Sequence, residues 1–170
     1  VGDHLTNYDS MLALSHFKGH PMGGFGGALK NISIGVASSS GKSWIHSAGT
    51  AKEGMQMWPQ NPFICSMAEA AWAVDNHFGD QISYVNVLNN ISVDCDCVAE
   101  AADPSMEDIG IMASLDPVAI DSASVDMIYD AHDGHELVER IESLNGLLIL
   151  EHGEEMGMGS QNYRLVNLDE

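Results

Sequence analysis

Short apolar runs alternate along this chain with longer stretches of helical spacing, and that alternation constrains the fold more than any other feature. Residues 11–15, 82–88 and 109–115 each have the length and apolar content of a buried strand. Between the first two, residues 63–78 carry Met67, Ala70, Ala71, Val74 and Phe78 at helical spacing and stop at Gly79. Asn61 and Pro62 supply a cap and a first-turn proline for that helix. Asp116-Pro117 opens another helix, expected to run to about Tyr129, and a further helix covers residues 135–144 before Asn145-Gly146. Residues 31–37 are β-branched and apolar and read as a strand or a buried turn, residues 38–43 as a small-residue loop. Residues 147–150 read as a strand and residues 163–168 as a last one. Strands alternating with helices predict an α/β fold: a mixed or mostly parallel sheet with flanking helices, with ligands beyond the C-terminal ends of the strands.

The length of 170 residues suits a single domain spanning 1–170. The first residue is Val and the first strand candidate begins at Met11, so the chain reads as the C-terminal part of a longer protein. Charge is lopsided, with 25 acids against 6 bases and a net charge of -19. No basic run exists to contact phosphates, which argues against nucleic acid and anionic membrane as partners. No apolar stretch has the roughly 18 residues needed to cross a bilayer, and no basic segment leads into an apolar one at the start. Three cysteines, Cys65, Cys95 and Cys97, do not make a disulfide framework, so a reducing cytoplasm is the expected location.

Residues 16–27 hold five glycines and a proline, which predicts irregular backbone with little side-chain bulk. The bare backbone of Gly23-Gly24-Phe25-Gly26-Gly27 suits either tight packing or an anion cradle, with Gly24, Gly26 and Gly27 as the ligand-facing candidates. It is not a Walker loop, since no Gly-Lys-Ser/Thr follows at the right spacing. His16, Lys18, His20, Lys30, Lys42 and His46 crowd around these glycines, and three of the four lysines of the chain lie here. A strongly acidic protein that gathers positive charge in one Gly-rich loop is suited to bind a small anion there. Gly19 and Pro21 exclude a helical metal pair from His16 and His20.

The strings Ser15-His16-Phe17-Lys18-Gly19-His20, Gly24-Phe25-Gly26-Gly27-Ala28-Leu29-Lys30-Asn31 and Ile45-His46-Ser47-Ala48-Gly49 resemble the domain of unknown function 362 family. The resemblance continues through Asn89-Asn90-Ile91-Ser92-Val93-Asp94-Cys95-Asp96-Cys97, Asp108-Ile109-Gly110-Ile111 and Leu115-Asp116-Pro117-Val118-Ala119-Ile120-Asp121. It reaches Leu150-Glu151-His152 and Gly157-Met158-Gly159-Ser160, so it covers nearly the whole chain. Members are commonly labelled iron–sulfur-centre proteins, and typical ones carry further sequence N-terminal to this start. Many also insert a ferredoxin-like module with repeated Cys-x-x-Cys spacing after the Ile-His-Ser-Ala-Gly string. Here residues 50–66 hold only Cys65, and a cluster needs about four thiolates. The iron–sulfur label therefore does not transfer to this chain.

A second, local pattern is similar to the centre of the nickel-pincer lactate racemase family. There a histidine accepts a proton, a lysine ten residues on tethers a pyridinium-derived cofactor, and a histidine sixteen beyond the lysine binds nickel. His20, Lys30 and His46 reproduce both intervals. The resemblance implies His20 as base, Lys30 as tether and His46 as metal ligand, with further site residues N-terminal to this chain. A transition metal such as Ni or Zn is the implied cofactor, since imidazole suits both.

If residues 94–97 are extended, Cys95 and Cys97 share one face, and the pair suits a soft metal with help from His46 or His16. The alternative is a sheltered loop whose carboxylates cap backbone N–H groups. Asp116 reads as a helix cap and Asp121 as a buried polar anchor. Three functions are open at this point. One is a metal- or cofactor-dependent domain of redox or isomerase type with a His20/Lys30/His46 site. Another is a non-catalytic anion- or metal-binding module serving an iron–sulfur redox partner or assembling as a homo-oligomer. The last is a structural fragment of a larger enzyme.

Overall fold

The apolar run at the start of the chain forms β1 (Met11–His16), and Ile82–Leu88 forms a parallel neighbour, β4. Gly110–Ser114 (β5) lies antiparallel on the other side of β4, so the principal sheet has the order β1-β4-β5 and is mixed. The computed structural model describes residues 1–54, 59–95 and 103–168. Lys18–His20 (β2) and Gly24–Gly26 (β3) form a separate hairpin directly after β1. Helices follow as α1 (Ala28–Lys30), α2 (Ser39–His46), α3 (Gln60–Phe78), α4 (Pro117–Asp130), α5 (His135–Ser143) and α6 (Leu148–Glu155).

One face of the sheet is the floor of the core. Ala13 and Ser15 of β1 and Ile82, Tyr84, Asn86 and Leu88 of β4 are buried there, as the period of two along a strand requires. α1 and α4 pack on that face, and α3 packs against α6 and the segment after α1. Phe17, Phe25, Leu29, Ile32, Phe63, Ile64 and Met67 fill the interior between them. The opposite face of the sheet carries the exposed side chains Leu12, Leu14 and Ile111. No helix of the described residues is long and apolar enough to cross a membrane.

Three local expectations are corrected, and of the two readings of residues 31–37, strand or buried turn, the structure takes the turn. Residues 31–37 are not extended: α1 runs on into a π-helical turn at Asn31–Gly35. The β-branched residues there are overridden because Leu29 and Ile32, three apart, both bury against the core. The small-residue loop at 38–43 belongs largely to α2, where the Ser38 hydroxyl accepts from the Gly41 N–H at 3.1 Å and caps the helix. Residues 147–150 lead into α6 rather than a strand, since Ile149, Leu150 and Gly153 bury one helical stripe. Residues 163–168 form no strand; they are exposed, and the Tyr163 hydroxyl donates to Asp126 Oδ2 at 2.6 Å.

α3 also starts earlier than expected. Gln60 is its first residue after Pro59, so Asn61 is inside the first turn and Pro62 takes a position whose N–H has no helical partner. By contrast, Asp116 caps α4 as the sequence implies, accepting from the Val118 and Ala119 N–H groups at 2.8 Å each.

Candidate basic site at the glycine-rich hairpin

Burial alternates through residues 15–20: Ser15, Phe17 and Gly19 are buried, while His16, Lys18 and His20 are half-buried. Within β2, Lys18 and His20 thus lie on one side of the strand and the buried Gly19 on the other. Lys18 faces Gly26 across the hairpin and His20 faces Gly24. Lys30 folds back toward the hairpin, with its Cδ at 3.3 Å from where a Cβ on Gly26 would stand.

The glycines divide into two uses. Gly24 has φ +82 and lies so close to Gly146 that a Cβ would meet that Cα at 3.0 Å. Gly27 packs on a carboxylate, where a Cβ would stand 2.3 Å from Asp121 Oδ1. Gly24 and Gly27 therefore serve close packing, and Gly26 borders the lysine.

Asp121 is fully buried and projects from α4 into the start of α1. Its Oδ1 accepts from the Ala28 N–H at 2.7 Å and its Oδ2 from the Leu29 N–H at 2.9 Å. Asn86 Nδ2, from the floor of the sheet, donates to the same Oδ1 at 2.8 Å and to Ser124 Oγ at 3.0 Å. Burial pushes the Asp121 carboxyl up to about 6 even though these donors favour its charged form. The free N–H groups at the opening of α1, which could have cradled an external anion, are thus occupied by an internal one.

His20 has a fixed proton arrangement. Its Nδ1 accepts from the N–H groups of Met22 at 3.2 Å and Gly23 at 3.1 Å, so the proton resides on Nε2. Burial, and then the electrostatic influence of Lys30, Lys18, His46 and Arg140, hold its pKa down at about 3. His20 is a neutral ring with its proton on Nε2, under the influence of the Lys30 and Lys18 ammonium groups. His46 has the opposite tautomer. It is buried and stacks on Phe63 with ring centroids 5.1 Å apart. Its Nδ1–H donates to the Lys42 carbonyl at 2.7 Å, which leaves the lone pair on Nε2.

His16 stands apart from this group. Its Nε2–H donates to the Asn89 carbonyl at 2.7 Å. With Leu14, Ser15, Val87, Asn89 and Asn90 it lines an open cleft of about 490 Å³ at the C-terminal ends of the parallel strands β1 and β4. Cys95 is buried and disulfide-bonded, a state in which its sulfur is not a thiolate, and Cys97 lies outside the described residues. Among the described residues no group of three or more His, Cys, Asp or Glu side chains is arranged to hold a metal ion. The structure therefore gathers Lys18, His20, Lys30 and His46 around the hairpin.

Sequence reading missed Arg140 and Asn86. Arg140 reaches the site from α5 and pairs with Asp94 while facing His20 electrostatically. One signal for Asn86 was present: it occupies an inward position, between Tyr84 and Leu88, on the face of the strand that is otherwise apolar or aromatic. Arg140 carried no such signal, since a lone arginine on an amphipathic helix is ordinarily a solvated side chain.

A family model described as "Domain of unknown function (DUF362)" matches residues 1–126. No curated protein matches the chain, and no solved structure does.

Proposed function

The chain belongs to the family described as a domain of unknown function (DUF362), and from that premise we propose that it binds an anionic cofactor or substrate at Lys18, His20 and Lys30. The observation that carries this reading is the His20 ring. Two backbone N–H groups occupy its Nδ1, so it presents Nε2–H as a neutral donor among Lys18, Lys30, His46 and Arg140. A neutral imidazole donor beside ammonium groups suits a carboxylate or phosphate oxygen, or an oxygen on which negative charge develops. The same geometry supports a donor role for His20 in place of the proton-acceptor role implied by the racemase resemblance. Accepting a proton at Nε2 would require the Nδ1 proton to stand against two N–H groups.

Calorimetric titration of the full-length protein with inorganic phosphate and with acetate tests the reading. Saturable binding is expected that weakens with salt. Lys30→Gln should weaken it about 10-fold or more, since a charge-assisted hydrogen bond contributes roughly 1.5–3 kcal/mol. Unchanged affinity in Lys30→Gln would remove Lys30 from the site, and absence of binding to the full-length protein would overturn the reading.

One observation favours a second reading, a cofactor tethered at Lys30 with a metal on His46. A ring whose Nδ1–H is tied to a backbone carbonyl presents Nε2 in the manner of an oriented metal ligand. His46 and Lys30 are the residues that would hold such a group, and the metal would supply Lewis acidity there. Metal analysis of full-length protein purified without nickel affinity decides it. A stoichiometric transition metal that is lost in His46→Ala supports this reading, and a metal-free native protein retires it.

A further inference from the structure

Resting on the anion-binding reading, we infer that Asp121, seated on Asn86, is the positioning residue that sets where Lys30 stands. The Asp121 carboxylate holds the Ala28 and Leu29 N–H groups at 2.7 and 2.9 Å, and Lys30 is the next residue of the same short helix. That helix has only three α-helical residues before the backbone widens into the π-helical turn at Asn31–Gly35. Its own hydrogen bonds are too few to define its direction, because a first helical turn is costly to form. The direction is imposed from below. Asn86 is fully buried in the central strand of the sheet, donates to Asp121 Oδ1 at 2.8 Å and is itself braced by Ser124 Oγ at 3.0 Å. Ser124 in turn donates to the Ile120 carbonyl at 2.7 Å, which ties the network to the backbone of α4.

Gly27 belongs to the same device. No side chain fits there, since a Cβ would stand 2.3 Å from Asp121 Oδ1, so the carboxylate reaches the opening of the helix without obstruction. The backbone that carries Lys30 thus inherits its place from the central strand β4 through two hydrogen-bonded side chains. A lysine whose backbone is held in this way starts from a defined position without a bound ligand, which lowers the ordering cost of binding.

The test uses the full-length protein with its lysines reductively methylated with ¹³C-formaldehyde, which gives each lysine an NMR signal. In Asp121→Asn the Lys30 signal should move while those of Lys42 and Lys52 stay in place, and the dissociation constant for inorganic phosphate should rise at least 10-fold well below the melting temperature. Ser124→Ala removes one acceptor of Asn86 and should give the same pattern at about 3-fold, which keeps the test available if Asp121→Asn does not fold. A folded variant with an unmoved Lys30 signal and unchanged phosphate affinity overturns the inference, leaving Asp121 a stabilising residue only. Failure of the unmodified protein to bind phosphate would instead overturn the anion-binding reading, and the Lys30 signal would still decide the positioning role.

Discussion

A single ring, His20, shows how local backbone decides side-chain chemistry. The turn that follows β2 points the N–H groups of Met22 and Gly23 at its Nδ1. Burial and the neighbouring positive charges then remove the imidazolium from the accessible pH range. Nitrogen-detected NMR of the full-length protein should show His20 as the Nε2–H tautomer with no titration between pH 5 and pH 8. A midpoint near the ordinary histidine value of about 6.5 would refute the arrangement. Asp121 gives the complementary case. Its carboxyl is raised to about 6 from 3.8, chiefly by burial. In the interval between those values the folded state binds more protons than the unfolded state, so this group makes stability fall as pH rises. The contribution is fully present below about pH 4 and is lost as pH rises through about 6. Wild type should therefore exceed Asp121→Asn in stability by more at pH 4 than at pH 7, with a change of up to about 3 kcal/mol. Urea denaturation at the two pH values measures the difference, and a difference that widens toward pH 7 would contradict it.

At the level of elements, caps and close approaches account for where helices begin and end. Asp116 caps α4 and also accepts from the Ser160 N–H at 2.9 Å, so one carboxylate joins a helix start to the C-terminal tail. Asp116→Ala should cost about 1–2 kcal/mol for the cap, with a further contribution from the freed tail. Chemical denaturation tests the total, and a loss under about 0.5 kcal/mol would show that water replaces the carboxylate in full. Gly27→Ala would drive a methyl group into Asp121 Oδ1, whereas Gly54→Ala meets nothing within 4 Å but strains a φ of +75. Gly27→Ala should be the more destabilising of the two by about 2 kcal/mol or more, since overpacking costs roughly 1–3 kcal/mol and the carboxylate is displaced as well. Equal melting temperatures for the two variants would show that α1 shifts freely and that Asp121 does not fix where it starts.

Across the whole molecule, charge and exposure are unevenly distributed. The net charge is -19, yet Lys18, Lys30 and Arg140 converge on one hairpin. Self-repulsion of the remaining acidic surface opposes the compact state. Raising the salt concentration from about 0.02 to 0.5 M should therefore raise the melting temperature while weakening phosphate binding, because both effects arise from screening. Calorimetry in the two buffers reads both. A melting temperature that falls with salt would mean that attractive pairs such as Arg140–Asp94 outweigh the repulsion.

Much of the architecture was legible in the order of residues. The three principal strands, α3, α4 and α5 follow from apolar period and capping chemistry, which act over a few neighbouring positions. Lys18, His20, Lys30 and His46 stood out for the same reason, being close together along the chain. What local pattern left undecided was the conformation of residues 31–37, 38–43, 147–150 and 163–168. Short segments of that kind follow the surface they bury, and that surface is built by distant residues. The site shows the same division. Its glycine-rich loop and basic character were readable, but the tautomer of His20 depends on where two N–H groups point. The seat of Lys30 depends on Asn86 and Asp121, and Arg140 arrives from a helix more than a hundred residues further along. Sequence proximity assembled the charges, and only the tertiary structure decided how they are held, by placing two N–H groups at His20 and a buried carboxylate from α4 at the opening of α1.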